Sequence, residues 1–236
     1  MTKKKVAVVT GGAAGMGGAI AAALVASGHD VVVADLVDAD PHVTGYVVDL
    51  GDADAVRDFA AQVLDHFGCC DVLVNNAAHQ HPQPFSSIGL VEWRRFQAVN
   101  VEAPLLLAQA FAPSMAMRQF GRIVNIVSNT IWQPPTAGFL PYITSKAAML
   151  GFTRALAHEL GGQGITVNAV APGLTDTPGA RGALPEEIFA EVRSRQAVPH
   201  TTEPEDVAAL VAFLASDAAR AITGQAMRVD GGLVSL

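Results

Sequence analysis

The sequence has little cysteine and no long hydrophobic run. Only two of its 236 residues are cysteines, Cys69 and Cys70. Because they are adjacent, they have neither the ligand spacing of a zinc site nor the number needed for a disulfide framework. No apolar run approaches the ~20 residues that a membrane-spanning helix requires. The sequence therefore predicts neither a disulfide-stabilised domain nor a transmembrane protein.

Positive charge is also scarce. The 15 Lys and Arg residues against 22 Asp and Glu residues give a net charge of −7, which argues against an electrostatic nucleic-acid binder. A basic start at residues 1–5 is followed by an apolar run that ends at Gly11, which is shorter than a secretory signal. We therefore expect a cytoplasmic protein that binds neither nucleic acid nor membranes.

Short β-branched runs alternate with amphipathic stretches along the whole chain. Half of the residues are hydrophobic, enough for the core of one α/β domain over residues 1–236. The predicted strands cover residues 5–10, 30–35, 45–48, 71–75, 121–128, 166–171 and 226–229. The main predicted helices cover residues 18–27, 53–67, 91–117, 141–160 and 205–214. This alternation indicates a doubly wound parallel sheet, the Rossmann fold, which binds cofactors at the carboxyl ends of its strands.

A glycine-rich turn follows the first predicted strand and opens into an alanine-rich helix. Its sequence is Thr10-Gly11-Gly12-Ala13-Ala14-Gly15-Met16-Gly17. Glycines permit the tight turn and let backbone N–H groups approach a pyrophosphate, to which the helix N-terminus adds partial positive charge. We predict that a dinucleotide binds at Gly11, Gly15, Met16 and Gly17. The alternative is a glycine-rich turn without a ligand.

Asp35 ends the second predicted strand, about 20 residues after the glycine turn. A carboxylate there accepts hydrogen bonds from the ribose hydroxyls and repels a 2′-phosphate. No Arg or Lys occurs between Gly11 and Gly28, so NAD is predicted over NADP. A turn cap is the alternative role for Asp35. Residues 36–44 are too few for a helical crossover, and Asp49 and Leu50 close the third strand at the expected adenine edge.

The fourth predicted strand runs into the small residues of Asn75-Asn76-Ala77-Ala78, which let the chain pass beneath a nucleotide. His79-Gln80-His81 follows in a proline-rich loop. Two histidines with no third ligand nearby do not make a metal site. We therefore predict no metal and place this segment in a solvent-facing or substrate-edge loop.

Tyr142 and Lys146 stand four residues apart, on one face of the helix that starts near Pro141. A neighbouring cation lowers the pKa of a phenol from its usual value of about 10, so the pair is suited to proton transfer. Asn100 lies on an otherwise apolar stretch, where a buried amide needs partners. A structural and a functional role are equally open for Asn100 at this point.

In this order the motifs resemble the classical short-chain dehydrogenase/reductase family, over essentially the whole chain. The residues that carry the resemblance are Thr10-Gly11-x-x-x-Gly15-x-Gly17, Asn75-Asn76-Ala77, Asn100, Ser128, Tyr142-x-x-x-Lys146, Pro172-Gly173 and Thr177. The resemblance implies hydride transfer between a nicotinamide cofactor and an alcohol or carbonyl compound.

The resemblance also implies a role for each residue. Tyr142 exchanges a proton with the substrate oxygen, and Lys146 lowers the pKa of Tyr142 and holds the nicotinamide ribose. Ser128 orients the reacting oxygen, and Asn100 organises a water relay from Lys146 to solvent. The implied cofactor contacts are Asn76, Ala77, Tyr142, Lys146, Pro172, Gly173, Thr175 and Thr177.

Three features depart from the family pattern. The usual Asn-Asn-Ala-Gly reads Asn-Asn-Ala-Ala, with a methyl group at Ala78. The 36–44 connection is short. Ser128 precedes Tyr142 by one residue more than is usual, so strict counting selects Asn129. The strand pattern favours Ser128.

The leading functional hypothesis is an NAD-dependent alcohol dehydrogenase or carbonyl reductase for a moderately apolar secondary alcohol or ketone. A 3-oxoacyl thioester reductase is the second hypothesis, and a non-catalytic nucleotide sensor is the third. Residues 174–201 are predicted to form a substrate lid. The apolar residues expected in the substrate wall are Trp132, Phe139, Leu140, Leu184, Ile188 and Phe189. The resemblance further implies a homotetramer.

Overall fold

In a computed structural model, residues 4–135 and 137–234 are described, so the first three residues of the basic start lie outside them. The chain forms one seven-stranded parallel sheet in the order β3-β2-β1-β4-β5-β6-β7. The strands are β1 Val6–Thr10, β2 Asp30–Asp35, β3 Thr44–Val47, β4 Val72–Asn75, β5 Gly121–Ile126, β6 Ile165–Pro172 and β7 Ala226–Val229. The predicted doubly wound parallel sheet is confirmed.

The helices lie on both faces of this sheet. They are α1 Gly15–Ala26, α2 Ala53–Phe67, α3 Leu90–Gln97, α4 Ala103–Met117, α5 Leu140–Leu160, α6 Pro178–Ala183, α7 Glu186–Arg195 and α8 Pro204–Ala215. Among the described residues, no helix has the length and apolar character needed to cross a membrane.

The core consists of two layers, because alternate residues of each buried strand face opposite sides. On one side, Val8 and Leu73 pack with Phe59 of α2 and Phe111 of α4. On the other side, the next residues along the strands pack with α1 and α8; these include Val9, Val33, Val74, Ile20, Leu24 and Val211. Both faces are therefore covered, and the ends of the strands remain for a binding site.

The strand order reverses between β1 and β4, which pair in parallel. In open α/β sheets, ligands bind in the crevice at the carboxyl ends of the strands where the order reverses. The glycine turn leaves β1 at this point, and Asn76 and Ala77 leave β4 beside it. No helix lies between β2 and β3, which confirms the short turn predicted for this connection.

The helix predicted over residues 91–117 is interrupted in the structure. A π-helical turn at Ala98–Glu102 separates α3 from α4 and contains Asn100. The side chain of Asn100 binds backbone and side-chain groups outside the π-helical turn. Such turns interrupt α-helices where one extra residue is accommodated. A single π-turn changes the hydrophobic periodicity too little to be recognised, so the sequence pattern predicts one continuous helix.

Residues 174–201 are more regular than predicted, because they contain the two helices α6 and α7. Thr177 caps α6 by accepting a hydrogen bond from the Ala180 amide, and Pro178 begins the helix. α7 has two acidic residues in its first turn and arginines in its last. Phe189 is fully buried, so it stabilises this segment and is not a wall residue as predicted. The role of the segment as a lid stays a prediction.

Candidate active site

A cleft of about 400 Å³ lies at the carboxyl ends of the strands. Its lining combines the glycine turn, the ends of β2, β3 and β4, and the start of α6. It includes Gly11, Gly15, Met16, Gly17, Asp35, Asp49, Leu50, Asn76, Ala77, Ala78, His79, Arg95 and Thr177. Of the predicted cofactor residues, the lining lacks Tyr142, Lys146, Pro172, Gly173 and Thr175.

The glycine turn is packed tightly against β4. A Cβ at Gly17 would overlap the carbonyl oxygen of Gly11, and one at Gly11 would lie 2.9 Å from the Cα of Ala77. Gly11 and Gly15 both have positive φ angles, of 64° and 56°, which side chains rarely adopt. Glycine at positions 11 and 17 therefore lets the turn close tightly against the segment after β4, and a turn of this kind lets backbone N–H groups approach a dinucleotide pyrophosphate.

Asn76 holds this turn in place. Its side-chain amide donates to the carbonyl oxygens of Thr10 and Gly11, both at 2.9 Å. The Thr10 hydroxyl in turn accepts the backbone N–H groups of Asn76 and Ala77 at 3.0 and 3.1 Å. The side-chain amide of Asn76 is thus bound to the backbone of the glycine turn, and the implied cofactor contact of Asn76 stays a prediction.

Asp35 has the capping role that the sequence left open, and its predicted contact with a ribose stays a prediction. One carboxylate oxygen accepts the Ala13 amide at 2.9 Å and the other accepts the Leu36 amide at 2.7 Å, so Asp35 caps the turn. It also lines the cleft. Within the described residues, no Lys, Arg or His forms an ion pair with Asp35, so its negative charge is not neutralised by a side chain.

Arg95 is a cleft residue that the sequence analysis missed. It reaches from α3 to Asp49, with 2.7 Å between the guanidinium nitrogen and the carboxylate oxygen. The hydrogen bond from Arg95 lowers the pKa of Asp49, and the Gly51 amide adds to this effect. A Cβ at Gly51 would collide with the Arg95 guanidinium, so the glycine makes room for the pair. The pair spans 46 residues, which no local pattern reveals.

Tyr142 and Ser128 meet at the end of β5. The Ser128 hydroxyl forms a hydrogen bond with the Tyr142 side chain and also binds the Thr130 hydroxyl at 2.9 Å. Asn129 points elsewhere, because its amide donates to Asp230 at 3.3 Å. Tyr142 and Ser128 therefore form a buried polar pair at the end of β5.

Helix α5, which carries Tyr142 and Lys146, is fixed to the sheet by a buried polar chain. Asn75 at the end of β4 donates to Asn125 of β5 at 2.8 Å, and Asn125 donates to Thr153 of α5 at 2.9 Å. Because buried amides are costly when unpaired, this chain sets the position of α5 relative to the strand ends.

The charge state of Tyr142 corrects the sequence-based expectation. Burial raises the pKa of Tyr142 from 10.0 to about 12, and the hydrogen bond with Ser128 lowers it by less. Burial lowers the pKa of Lys146 from 10.5 to about 8. The Lys146 ammonium donates to the Ile126 carbonyl at 2.7 Å and lies 5.7 Å from the centre of the Tyr142 ring. Desolvation therefore dominates the pKa of both groups, and Tyr142 is a neutral phenol near pH 7.

Asn100 is buried, and its side chain makes three hydrogen bonds to two residues. Its amide donates to the His79 carbonyl at 3.1 Å and to the Ser145 hydroxyl at 2.8 Å, while its oxygen accepts the His79 amide at 2.7 Å. It therefore ties the loop after β4 to α5, next to Lys146. The implied relay through Asn100 stays a prediction.

Four residues at and after the end of β6 are predicted cofactor contacts, and of these Thr177 is the one that lies over the glycine turn. Thr177 lines the cleft, and its methyl side lies 3.7 Å from where a Cβ of Gly15 would stand. Gly173 instead packs against Asp230 and donates to the Val229 carbonyl. Thr175 is buried and bridges to Thr202.

His79, His81 and Glu92 form a cluster beside the cleft. The His79 Nε2 atom lies 2.6 Å from a Glu92 carboxylate oxygen, and the His81 Nδ1 atom lies 3.3 Å from the same oxygen. The sequence-based exclusion of a metal assumed that no third ligand lies nearby. That premise is wrong, because α3 brings Glu92 to both histidines.

These features together define a class of protein. A parallel sheet with a glycine cradle at its switch point, an acidic residue at the end of β2, and a buried phenol–lysine pair are the parts of a nicotinamide-dependent oxidoreductase. The comparisons with known proteins agree with this class. A family model described as enoyl-(acyl carrier protein) reductase matches residues 11–234.

Similar proteins and solved structures identify the family of the chain. A (2S)-[(R)-hydroxy(phenyl)methyl]succinyl-CoA dehydrogenase subunit of Thauera aromatica is 39% identical and covers 98% of this chain and 96% of the relative. A cis-4-hydroxycyclohexanecarboxylate dehydrogenase of Sinomonas cyclohexanicum is 35% identical over 99% of this chain and 98% of the relative. The structure of a blue fluorescent protein from a metagenomic library, in complex with NADPH, is 34% identical, with a TM-score of 0.88 and 98% of each chain covered. The chain belongs to the short-chain dehydrogenase/reductase family and is an oxidoreductase of that type.

Proposed function

We propose that this protein is an NAD-dependent dehydrogenase or reductase that interconverts a secondary alcohol and the corresponding ketone. The observation that carries the proposal is the buried contact between Tyr142 and Ser128, with Lys146 one helical turn away. A bound nicotinamide supplies or accepts the hydride. The chain itself has to hold the reacting oxygen and move one proton.

The protonation states favour a proton-donating role for Tyr142 in the reductive direction. Because burial raises the pKa of Tyr142 to about 12, the phenol carries its proton near neutral pH. Ser128 stands where it can hydrogen-bond the substrate oxygen next to this phenol. Lys146, whose pKa is lowered to about 8, remains largely cationic at pH 7 and favours the phenolate that is left after donation. In the oxidative direction the same groups return the proton.

NAD is the proposed cofactor because of the charges at the adenosine end of the cleft. Asp35 is held by the Ala13 and Leu36 amides and has no cationic partner in the described part of the chain. A 2′-phosphate near this carboxylate would be repelled. Arg95 is the cation in this part of the cleft lining, and it is paired with Asp49. The NADPH bound by the structurally similar fluorescent protein points the other way, so the two cofactors have to be compared directly.

The proposed substrate is a moderately apolar secondary alcohol, such as one on or next to a six-membered ring. Phe139 stands 6.5 Å from the Tyr142 ring, measured between ring centres, and Leu140, Leu184 and Ile188 are partly exposed apolar side chains. The two dehydrogenase relatives are named for hydroxylated compounds that contain a phenyl or cyclohexane ring and a carboxylate or thioester. Residues 174–201 are proposed to cover this substrate as a lid, because Thr177 within this segment lies over the glycine turn.

A panel of alcohols and ketones tests the proposal. Turnover of NADH and NADPH is followed by absorbance with cyclohexanols, 1-phenylalkanols, their ketones and a 3-oxoacyl thioester. The proposal expects the highest kcat/KM with NAD(H) and a ring-bearing secondary alcohol. A preference for the thioester with NADPH would instead support the reductase that the matched family description suggests. Nucleotide binding without any turnover would support a non-catalytic sensor.

We also propose that the protein is a homotetramer, with α4 and α5 at the two-fold interfaces. Leu105 of α4 is partly exposed although apolar, and Gly151 of α5 has open space beside it. Faces with such small and apolar residues allow helices to approach closely. Sedimentation at micromolar concentration checks this, and the mass of a single chain would contradict it.

A further inference from the structure

The His79–His81–Glu92 cluster lies outside the proton-transfer machinery and is not used by the proposed reaction. It is the one group of three or more His, Cys, Asp or Glu side chains with metal-ligand proximity in residues 4–135 and 137–234. The three ligand atoms lie within 4.8 Å of one another. Two imidazole nitrogens face a single carboxylate oxygen, which is more than a surface ion pair requires.

The backbone of His79 is held in place, while the side chains of Glu92 and His81 are partly exposed. The His79 backbone is held by two hydrogen bonds to the buried Asn100 side chain. Glu92 stands in the first turn of α3, and its side chain is about a quarter exposed. His81 is about half exposed. Phe96 packs against both imidazoles, with its ring centre 4.6 Å from that of His79 and 5.8 Å from that of His81.

We propose that His79, His81 and Glu92 bind a divalent transition metal of the Zn²⁺ class. Two imidazoles and one carboxylate form an N₂O ligand set, which suits Zn²⁺, Co²⁺ or Ni²⁺ and does not suit Mg²⁺ or Ca²⁺. Zinc binds such ligands at about 2.1 Å, so the ligand atoms of a tetrahedral site lie about 3.4 Å apart. The His81–Glu92 distance of 3.3 Å already matches, and small rotations of the side chains adjust the others.

The three protein ligands leave a fourth position for water. His79 and its neighbour Ala78 also line the cleft. The metal site therefore adjoins the cleft without using Tyr142, Ser128 or Lys146.

The experiment measures metal binding by the untagged full-length protein, with ZnCl₂ and MgCl₂ as probes in calorimetry and CoCl₂ in visible absorption. We expect one Zn²⁺ per chain, no heat with Mg²⁺, and Co²⁺ bands typical of a tetrahedral nitrogen–oxygen site. His81→Gln should weaken Zn²⁺ binding at least ten-fold, because it removes one ligand. Glu92→Gln should do the same.

His200→Gln is the matched control. His200 also pairs with a single carboxylate, Asp206 at 3.2 Å, and it has no second histidine. This variant should bind Zn²⁺ as the unchanged protein does. The proposal is overturned if the unchanged protein binds Zn²⁺ no more tightly than His81→Gln, or if His200→Gln removes the binding. Circular dichroism verifies that each variant is folded, and none of these measurements depends on enzymatic activity.

Discussion

The proposed site has two ends that differ in how they stabilise charge: the cleft lining around Asp35 and Asp49 is the proposed adenosine end, and the buried corner with Tyr142 and Lys146 is the proposed reacting end. At the adenosine end, Asp49 is partly exposed and paired with Arg95, and this partner lowers its pKa. At the reacting end, Tyr142 and Lys146 are buried. Burial raises the pKa of Tyr142 and lowers the pKa of Lys146, so it favours the neutral form of each group. At the first end a partner therefore stabilises the charged form of Asp49, while at the second end desolvation destabilises the charged forms of Tyr142 and Lys146.

This difference follows from what each end has to do. Recognition of a ribose needs acceptors whose position and charge do not change, and backbone amides fix Asp35 in this way. Proton transfer needs a group that carries its proton before donation and is stabilised after it. Burial keeps Tyr142 protonated near pH 7, and the neighbouring Lys146 cation stabilises the phenolate that donation leaves.

The largest expected effect is at the reacting end. Tyr142→Phe keeps the ring and removes only the ionisable oxygen, so kcat should fall by about 10²–10⁴ while cofactor affinity is retained. Steady-state kinetics and nucleotide fluorescence titration measure the two quantities. Tyr46→Phe is the control, because Tyr46 packs edge-on against Phe59 on the sheet edge. Full activity of Tyr142→Phe would remove the basis of the proposed mechanism.

Ser128 and Asn129 provide the next comparison. Ser128→Ala should lower kcat by about 10²-fold or more, because the hydroxyl that contacts Tyr142 is lost. Asn129→Ala should leave kcat within a few fold, since Asn129 binds Asp230 and not the phenol. The two variants are compared in the same assay. An inactive Asn129 variant beside an active Ser128 variant would show that the family spacing, and not the strand pattern, identifies the catalytic position.

A smaller effect is expected at the adenosine end. Asp35→Ala should reduce the preference for NAD over NADP by about 1–3 kcal/mol, which corresponds to roughly 5–150-fold in the ratio of kcat/KM values. The ratio is the informative quantity, because loss of the hydrogen bond to Ala13 weakens the glycine turn for both cofactors. Asp38→Ala, on the exposed turn after β2, is the control for long-range charge. Equal use of both cofactors by the unchanged protein would contradict the proposal.

The sequence predicted the sheet and the strand-end residues because these depend on local signals. β-branched runs, glycine turns and an Asp after a strand are read within a few residues. Contacts between distant segments were missed, namely Arg95 with Asp49 and Glu92 with the two histidines. The direction of the Tyr142 pKa was also wrong, because the spacing of Tyr142 and Lys146 shows their proximity and not the burial that both share.

The smallest expected effect is the pH dependence of stability that buried Lys146 causes. Its pKa is about 8 in the folded protein against 10.5 in the unfolded chain. Between these values the unfolded chain binds more protons, so the free energy of unfolding increases with pH. This group should contribute an increase of about 1.5 kcal/mol between about pH 8 and pH 9.5, below the range in which Tyr142 opposes it. Urea unfolding of the protein and of Lys146→Met across this interval measures it. The variant should lack the increase, and identical slopes for the two proteins would show that Lys146 is not held near neutrality by burial.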